Sequence, residues 1–441
     1  MDEISAFAEM KLDMKLWEKG IPTDQKIEAF TVGNDREIDI HIAKYDLLAS
    51  KAHAQMLATV GLLTLDESKQ LCTELDKMLA LEAKGDFVIE ADFEDVHSKI
   101  ESDLVKALGD TGKKIHTARS RNDQVLVALN LYFKEELSEL KVGVEKLFNT
   151  LLKLAETHKA SLLPGYTHLQ VAMPSSFGLW FSAYAELLID DLYLLNAAHK
   201  VVDQNPLGSA AGYGSSFPID RELTTKTIGF SDLKYNVIAA QLSRGKSERT
   251  VTQAVANVAN TLSRFAMDVC LYCSQNFGFV KFPDALTTGS SIMPHKKNPD
   301  VFELLRGKCN QLQAIPQEMI MITNNLPSGY HRDYQLLKEN AIKSIEDLKV
   351  VLDIFEFSIA QVQVQDVNLD DEKYQHLFTV DAINDLVTAG VPFREAYKQI
   401  GEQVENGSFE AGNTKEHSHL GSIHNLGLDH IKDKFEKALS N

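Results

Sequence analysis

The placement of proline constrains this chain more than any other feature. Its 441 residues hold 11 prolines, yet none falls between Pro22 and Pro164 and none between Pro327 and Pro392. Proline breaks a helix interior because it lacks an N–H and its ring collides with the preceding turn. These stretches can therefore carry long helices. Hydrophobic spacing agrees: Leu126, Leu129, Phe133, Leu137, Leu140, Val144, Leu147, Leu151 and Leu154 recur by alternating steps of mostly three and four, which keeps an apolar seam on one side of a helix. Val251, Val255, Val258, Leu262, Phe265, Val269 and Tyr272 repeat the pattern, as do Ile345, Leu348, Leu352, Phe355, Ile359 and Val362. Helices of ~30 residues extend ~45 Å, and such seams suit near-antiparallel packing. With the aromatic-rich segment Trp180, Phe181, Tyr184 and Leu188, they predict an all-α, mainly helical fold around a long-helix bundle. The bundle is expected to be shared between subunits, because helices this long leave apolar faces uncovered in a monomer.

Interruptions of the pattern divide the chain into an N-terminal helical domain (1–117), a central long-helix bundle domain (118–366) and a small C-terminal helical domain (367–441). Gly407, Gly412, Gly421 and Gly427 punctuate the last of these. No internal repeat and no phosphate-cradling glycine loop is present. The run Gly208 to Gly214 follows Asn205-Pro206 and reads as a close backbone turn.

Charge narrows the function. The 45 Lys plus Arg against 63 Asp plus Glu give a net charge of −18, a field that repels nucleic acid and anionic lipid. Cys72, Cys270, Cys273 and Cys309 are too few for a disulfide framework, no secretory leader is evident, and no apolar run spans a bilayer. A reduced, cytoplasmic protein without nucleic-acid or membrane partners is expected. The Cys270-x-x-Cys273 pair falls on a bundle helix without a second ligand pair, so core packing is favoured over zinc or redox chemistry.

Three polar stretches interrupt the helices. His116-Thr117-Ala118-Arg119-Ser120-Arg121-Asn122-Asp123-Gln124 opens the first long helix. Arginines, amides and unpaired N–H groups at a helix start suit carboxylates, while a capped helix with solvated charges fits equally well. Pro164-Gly165-Tyr166-Thr167-His168-Leu169-Gln170 places a histidine before a helix, as either a general acid–base group or a hydrogen-bonding structural residue. Thr287-Thr288-Gly289-Ser290-Ser291-Ile292-Met293-Pro294-His295-Lys296-Lys297-Asn298-Pro299-Asp300 is a loop rich in backbone donors and cations. A serine there can ionise if backbone donors and Lys296 stabilise the alkoxide. It has no hydrolase-type elbow.

The run Gly289 to Pro299 resembles the signature of the fumarase/aspartase superfamily. Ser120-Arg121-Asn122-Asp123-Gln124, Gly165-Tyr166-Thr167-His168-Leu169-Gln170, Asn205-Pro206-Leu207-Gly208-Ser209-Ala210 and Leu326-Pro327-Ser328-Gly329-Tyr330, followed by Gln335 and Lys338, are similar to the argininosuccinate lyase branch, collinearly from about Lys15 to Ala396. The resemblance implies three mainly helical domains and a homotetramer whose core is a bundle of central helices, with each active site assembled from three chains. It implies elimination of fumarate from argininosuccinate, with arginine as product, and neither metal nor cofactor.

By the same resemblance Ser290 takes the carbon-bound proton, Ser291 being the weaker candidate. His168 is the opposite acid–base partner, Glu303 orients it, and Lys296 and Asn298 stabilise the dianion. His97 sits near the succinyl group, Thr167 belongs to the substrate site, Arg121 and Asn122 hold carboxylates, and Tyr330, Gln335 and Lys338 bind the arginine-forming half. The chain departs from the pattern at Lys15-Leu16-Trp17-Glu18-Lys19-Gly20, near Asn34-Asp35-Arg36 where a serine is expected, at Val171-Ala172-Met173-Pro174 and at His295. Two alternatives stand beside this reading: an adenylosuccinate-type elimination and a non-catalytic, crystallin-like homologue.

Overall fold

The computed structural model describes residues 24–369, 371–410, 412 and 415–440; the departures at Lys15–Gly20 and the residues before Met14 lie outside the described residues. Helix dominates. In chain order the principal helices are α1 (Ala43–Thr59), α2 (Leu65–Glu82), α3 (Val96–Leu108), α4 (Arg121–Thr157), α5 (Phe177–Val202), α6 (Lys246–Cys273), α7 (Asp300–Leu312) and α8 (Leu337–Ile359). The shorter α9 (Thr379–Thr388), α10 (Phe393–Glu405) and α11 (Leu428–Leu439) follow. None of the described helices is long and apolar enough to cross a membrane.

Contacts divide the chain into two units, each built from segments distant in sequence. The first comprises Met1–Leu137, Ala198–Thr252 and Ile315–Ser344, and the second Ser138–Ala197, Gln253–Ala314 and Ile345–Asn441.

In the second unit the seams become a bundle. Leu140, Val144, Leu147 and Leu151 of α4, Val258, Leu262, Phe265 and Val269 of α6, and Ile345, Leu348, Leu352, Phe355 and Ile359 of α8 are all buried. Phe265 stacks on Tyr184 of α5 with ring centroids 4.2 Å apart and meets Trp180 at 5.2 Å and Phe355 at 5.1 Å. The polar tips of two of these rings converge on one acceptor: Trp180 Nε1 and Tyr184 Oη donate to Asp268 Oδ2 at 3.1 and 2.7 Å, so burying the rings strands no donor. Helices α4 and α8 approach closely at Gly143, where a Cβ would sit 3.1 Å from Leu352 Cδ1.

The seams are covered inside a single chain, so their burial supplies no argument for sharing between subunits. Apolar surface that stays open lies elsewhere on these helices: Val350, Ile354 and Phe357, spaced i, i+4, i+7 on α8, are exposed, with Val142, Leu187 and Leu194 on α4 and α5. The ends of the seams are looser, since Leu154, Tyr272 and Val362 are only half-buried.

Two hairpins carry the polar loops of this unit. Strands β1 (Leu162–Thr167) and β2 (Gln170–Ser176) pair antiparallel, with Thr167 opposite Gln170 and a register shift between Pro164 and Tyr166. Gly165 fills that irregularity because a Cβ there would lie 2.8 Å from the Met173 carbonyl oxygen. Strands β3 (Thr288–Gly289) and β4 (Lys297–Asn298) close the Ser290 loop. Terminal helix α11 stacks Phe435 on Phe148 of α4 at 3.8 Å, while α9 and α10 enclose a small core of Ile383, Ala396 and Ile400.

The first unit packs α1 and α2 around Leu47, Leu57, Leu71 and Leu75. Helix α2 starts at a capping box, in which Thr64 Oγ1 accepts from Glu67 N–H at 3.2 Å and Glu67 Oε2 accepts from Thr64 N–H at 2.9 Å.

Phe265→Ala removes the ring that α5, α6 and α8 share. It is expected to lower unfolding stability by ~3–5 kcal/mol, measured by denaturant titration; a loss below ~1 kcal/mol would contradict a tightly packed bundle centre.

Candidate active site

In the first unit a cleft of about 210 Å³ gathers side chains from five separate stretches of sequence. Among those expected to bind substrate, His97, Arg121, Asn122, Tyr330, Gln335 and Lys338 all line it. Local structure explains each position.

The short helix Asp35–Asp39 presents Asp35 and Asp39 four residues apart, hence on one face. Both reach Lys338 in the first turn of α8, at 2.9 and 2.5 Å. Lys338 and Asp39 are buried. Burial works against the ammonium, but Asp39 and then Asp35 outweigh it and hold the Lys338 pKa above its ordinary value. For Asp35 burial prevails over the attraction of Lys338 and raises its pKa to about 6.

Helix α3 begins at Asp95, whose Oδ1 accepts the Ser98 N–H and hydroxyl at 2.7 and 2.6 Å. Arg121, at the start of α4, donates to Asp95 Oδ2 at 3.3 Å and to Ser98 Oγ at 2.9 Å. Burial opposes the Asp95 charge, yet His97, Arg121 and Ser98 bring its pKa to about 2. The start of α4 is pinned by buried Asp123, which accepts Ser120 N–H at 2.9 Å with one oxygen and Gly208 and Ala210 N–H, each at 2.9 Å, with the other. This gives the glycine-rich turn its place: it ties the base of the cleft to Asp123.

His97 lies in the first turn of α3, buried, with Nδ1 2.7 Å from Asp46 Oδ2 of α1. Gln335 donates to the carbonyl oxygens of Thr31 and Val32 at 2.8 and 3.3 Å. Arg332 joins Gln335 Oε1 at 3.0 Å and Glu94 Oε1 at 2.7 Å. Tyr330 is 40% exposed at the rim, following Gly329, whose φ of +111° is one that side chains rarely adopt.

Asp35, Asp39, Glu94, Asp95, Arg244 and Arg332 also line this cleft and were not singled out from sequence. Only the i, i+4 spacing of Asp35 and Asp39 carried a signal.

The other expected residues belong to the second unit. Thr167 and His168 stand exposed at the tip of the β1–β2 hairpin. His168 and Leu169 have φ of 52° and 58°, so both residues of the two-residue turn are left-handed, as a type I′ turn requires. Neither is the asparagine or glycine that takes this geometry without strain, and strain of this kind marks functional segments. Ser290 Oγ accepts two backbone N–H groups, Met293 at 3.1 Å and Ile292 at 3.3 Å. Lys296 lies exposed in the same loop, Asn298 Nδ2 donates to Thr288 Oγ1 at 3.4 Å, and Glu303 is exposed in the first turn of α7. Among the described residues no hydrogen bond joins His168, Ser290 and Glu303 to one another. Cys270, Cys273 and Cys309 have thiol pKa values pushed up by burial, as inert packing residues do. No cluster able to hold a metal occurs among the described residues.

Comparison with known proteins adds to this geometry. The family model described as "Lyase" matches residues 18–314. An argininosuccinate lyase of Phocaeicola vulgatus is 54% identical over 418 residues, 95% of this chain and 94% of that protein. One of Parabacteroides distasonis is 55% identical over 412 residues, 93% of this chain and 92% of that protein. Among solved structures, an EDDS lyase variant with bound fumarate superposes with a TM-score of 0.73 at 19% identity, over 96% of this chain and 90% of that one, a likeness of fold.

Lys338→Met tests the buried triad. Removing the ammonium leaves buried Asp39 and half-buried Asp35 unpaired, which is expected to cost ~3–5 kcal/mol of stability near neutral pH. Without Lys338 the folded-state pKa of Asp35 rises further above the unfolded ~3.9. The deficit should therefore grow as pH rises through that window and shrink toward zero once both carboxyls are protonated. Denaturant titrations at several pH values read this, and a deficit independent of pH would contradict it.

Proposed function

The chain belongs to the argininosuccinate lyase family, and from that premise we propose that it catalyses the reversible elimination of fumarate from argininosuccinate, leaving arginine. The observation that carries the reading is the convergence of His97, Arg121, Asn122, Tyr330, Gln335 and Lys338 on one cleft, although they come from distant stretches.

The chemistry follows from the charges. A base removes a proton from the carbon beside a carboxylate; the electron pair first delocalises into that carboxylate, then forms the C=C bond as the C–N bond to the guanidinium nitrogen breaks. The hard species is the intermediate dianion, so donors and cations placed where its charge develops lower the barrier. Arg121 and Asn122 suit the carboxylates, and Lys296 and Asn298 suit the charge that builds up during proton removal.

Ser290 is assigned as the base. A serine hydroxyl at its ordinary pKa is too weak for this task, and the two backbone N–H groups aimed at its Oγ, with the ammonium of Lys296 in the same loop, favour the alkoxide. His168 is assigned as the acid–base partner on the leaving-nitrogen side, with Thr167 beside it in the substrate site and Glu303 to orient the imidazole. Tyr330, Gln335 and Lys338 are assigned to the arginine-forming half; because Lys338 is held by Asp35 and Asp39, it acts as part of that charged triad.

The active protein is assigned as a cytoplasmic homotetramer, with the chain order 1–117, 118–366 and 367–441 as three domains. The open stripe of Val350, Ile354 and Phe357 supports association, since contiguous apolar surface marks interfaces. A cleft of about 210 Å³ is also below the ~300–1,000 Å³ of small-molecule sites, which fits a site completed by loops from other subunits.

Ultraviolet absorbance of fumarate tests the activity: argininosuccinate should give fumarate, and Ser290→Ala should lower kcat by at least ~10³-fold with assembly intact. No fumarate from argininosuccinate would overturn the reading, and near-normal turnover of the variant would remove Ser290 from it. Mixing separately inactive Arg121→Ala and Ser290→Ala subunits should restore partial activity; no recovery in verified mixed assemblies would contradict sites built from several chains.

A further inference from the structure

Behind the cleft lies a buried polar chain that the reaction described above does not use. Asp46, on α1 and fully buried, accepts Gln124 Nε2 with both oxygens, at 2.8 and 3.0 Å. Its Oδ1 also accepts Ser50 Oγ at 3.2 Å, and Ser50 Oγ in turn accepts Arg119 Nη1 at 2.8 Å. Its Oδ2 meets His97 Nδ1 at 2.7 Å. A carboxylate gripped by three residues cannot swing away, so the imidazole it holds is fixed in orientation. With Nδ1 committed to Asp46, Nε2 is the ring nitrogen left for a ligand in the cleft that His97 lines.

What Nε2 offers depends on charge. A neutral ring that gives its only proton to Asp46 presents a bare lone pair at Nε2, which repels a carboxylate. An imidazolium presents an N–H and a positive charge. We propose that Asp46 is a positioning residue that holds His97 as an imidazolium with Nε2–H toward the cleft, so that the histidine already expected beside the succinyl half meets it as a charged hydrogen-bond donor. This rests on the function proposed above and specifies how that half is recognised.

Carboxylates on three neighbouring elements favour this charge state. Burial works against the imidazolium, but Asp46 of α1, Asp95 at the start of α3 and Asp39 of the short helix before α1 outweigh it, and the His97 pKa is raised. The Asp46 pKa is lowered: burial opposes its charge, and His97, Arg119 and Gln124 overcome it. At His116 burial and then the positive neighbours Arg119 and Arg121, with His97, bring the pKa down to about 4. His53, hydrogen-bonded through Nε2 to the Thr117 carbonyl, is brought to about 3 by burial and Arg119. Of the histidines clustered here, His97 alone stands against a buried carboxylate.

The test is the pH dependence of fumarate as a competitive inhibitor, with KM and kcat followed in parallel. In the unmodified protein any loss of fumarate affinity with rising pH should be centred above the ordinary histidine pKa of ~6.5; a fall centred at or below that value would overturn the proposal without any variant. In Asp46→Asn, checked for intact assembly, fumarate affinity should weaken by up to ~10-fold per pH unit above the lowered His97 pKa, and KM should rise with pH far more than kcat falls. Adding His97→Gln should abolish that extra pH dependence. A purely structural role for Asp46 lowers stability and leaves the pH profile in place, and that result would overturn the assignment. Failure of the unmodified protein to bind or release fumarate would overturn the underlying function as well, whereas normal turnover with an unshifted Asp46→Asn profile would remove only the role of Asp46.

Discussion

An apolar seam running the length of a helix has to be covered, and the rest of this structure depends on how that is done. Helices α4, α5, α6 and α8 cover theirs in the second unit around Phe265, Tyr184, Trp180 and Phe355, and interiors of this density have few soft directions. The polar segments that interrupt the helices are consequently presented from rigid supports. The β1–β2 hairpin leads directly into α5 and the Ser290 loop leads into α7. Catalytic groups on loops anchored by a stiff scaffold are the common arrangement, because loops can take the unusual backbone geometry that chemistry needs while the scaffold holds them in place. The left-handed pair His168 and Leu169 is such a geometry.

Electrostatics in the first unit follow a different rule. Charges that bury themselves must be paired or they neutralise, and three groups lining the cleft have partners of opposite sign: Lys338 with Asp39 and Asp35, His97 with Asp46, Arg121 with Asp95. The pairing fixes side chains whose positions would otherwise be mobile, which is what recognition of a dicarboxylate with a cationic tail requires. A protein carrying a net charge of −18 can handle such a substrate because the field inside a cleft is set by the nearest few groups, with distant surface charge screened by salt.

Much of the fold was legible in the sequence because helix periodicity is a local property. The seams at Leu126 to Leu151, Val251 to Val269 and Ile345 to Ile359 are buried as their spacing implied. What covers them was not legible: burial partners are set by tertiary packing, and the chain covers these seams itself. The site divided in the same way. His97, Arg121, Asn122, Tyr330, Gln335 and Lys338 stand in motifs or beside them and gather in one cleft. Asp46 and Arg332 carry no motif; each is one charged residue among many on a helical segment, and only the partner brought near by folding gives it meaning. The opposite holds for Ser290, where the glycine, serine and proline content of the loop already pointed to backbone donors, and two such donors meet its oxygen.

The account stands on one claim, that these residues recognise and cleave argininosuccinate, and a crystal structure of an inactive Ser290→Ala variant with that substrate bound tests it most directly. The account predicts succinyl carboxylates against His97, Arg121 and Asn122, the arginine-forming half toward Tyr330, Gln335 and the Lys338 triad, and the reacting carbon facing position 290. Substrate bound away from that cleft, or with its reacting carbon remote from position 290, would contradict it.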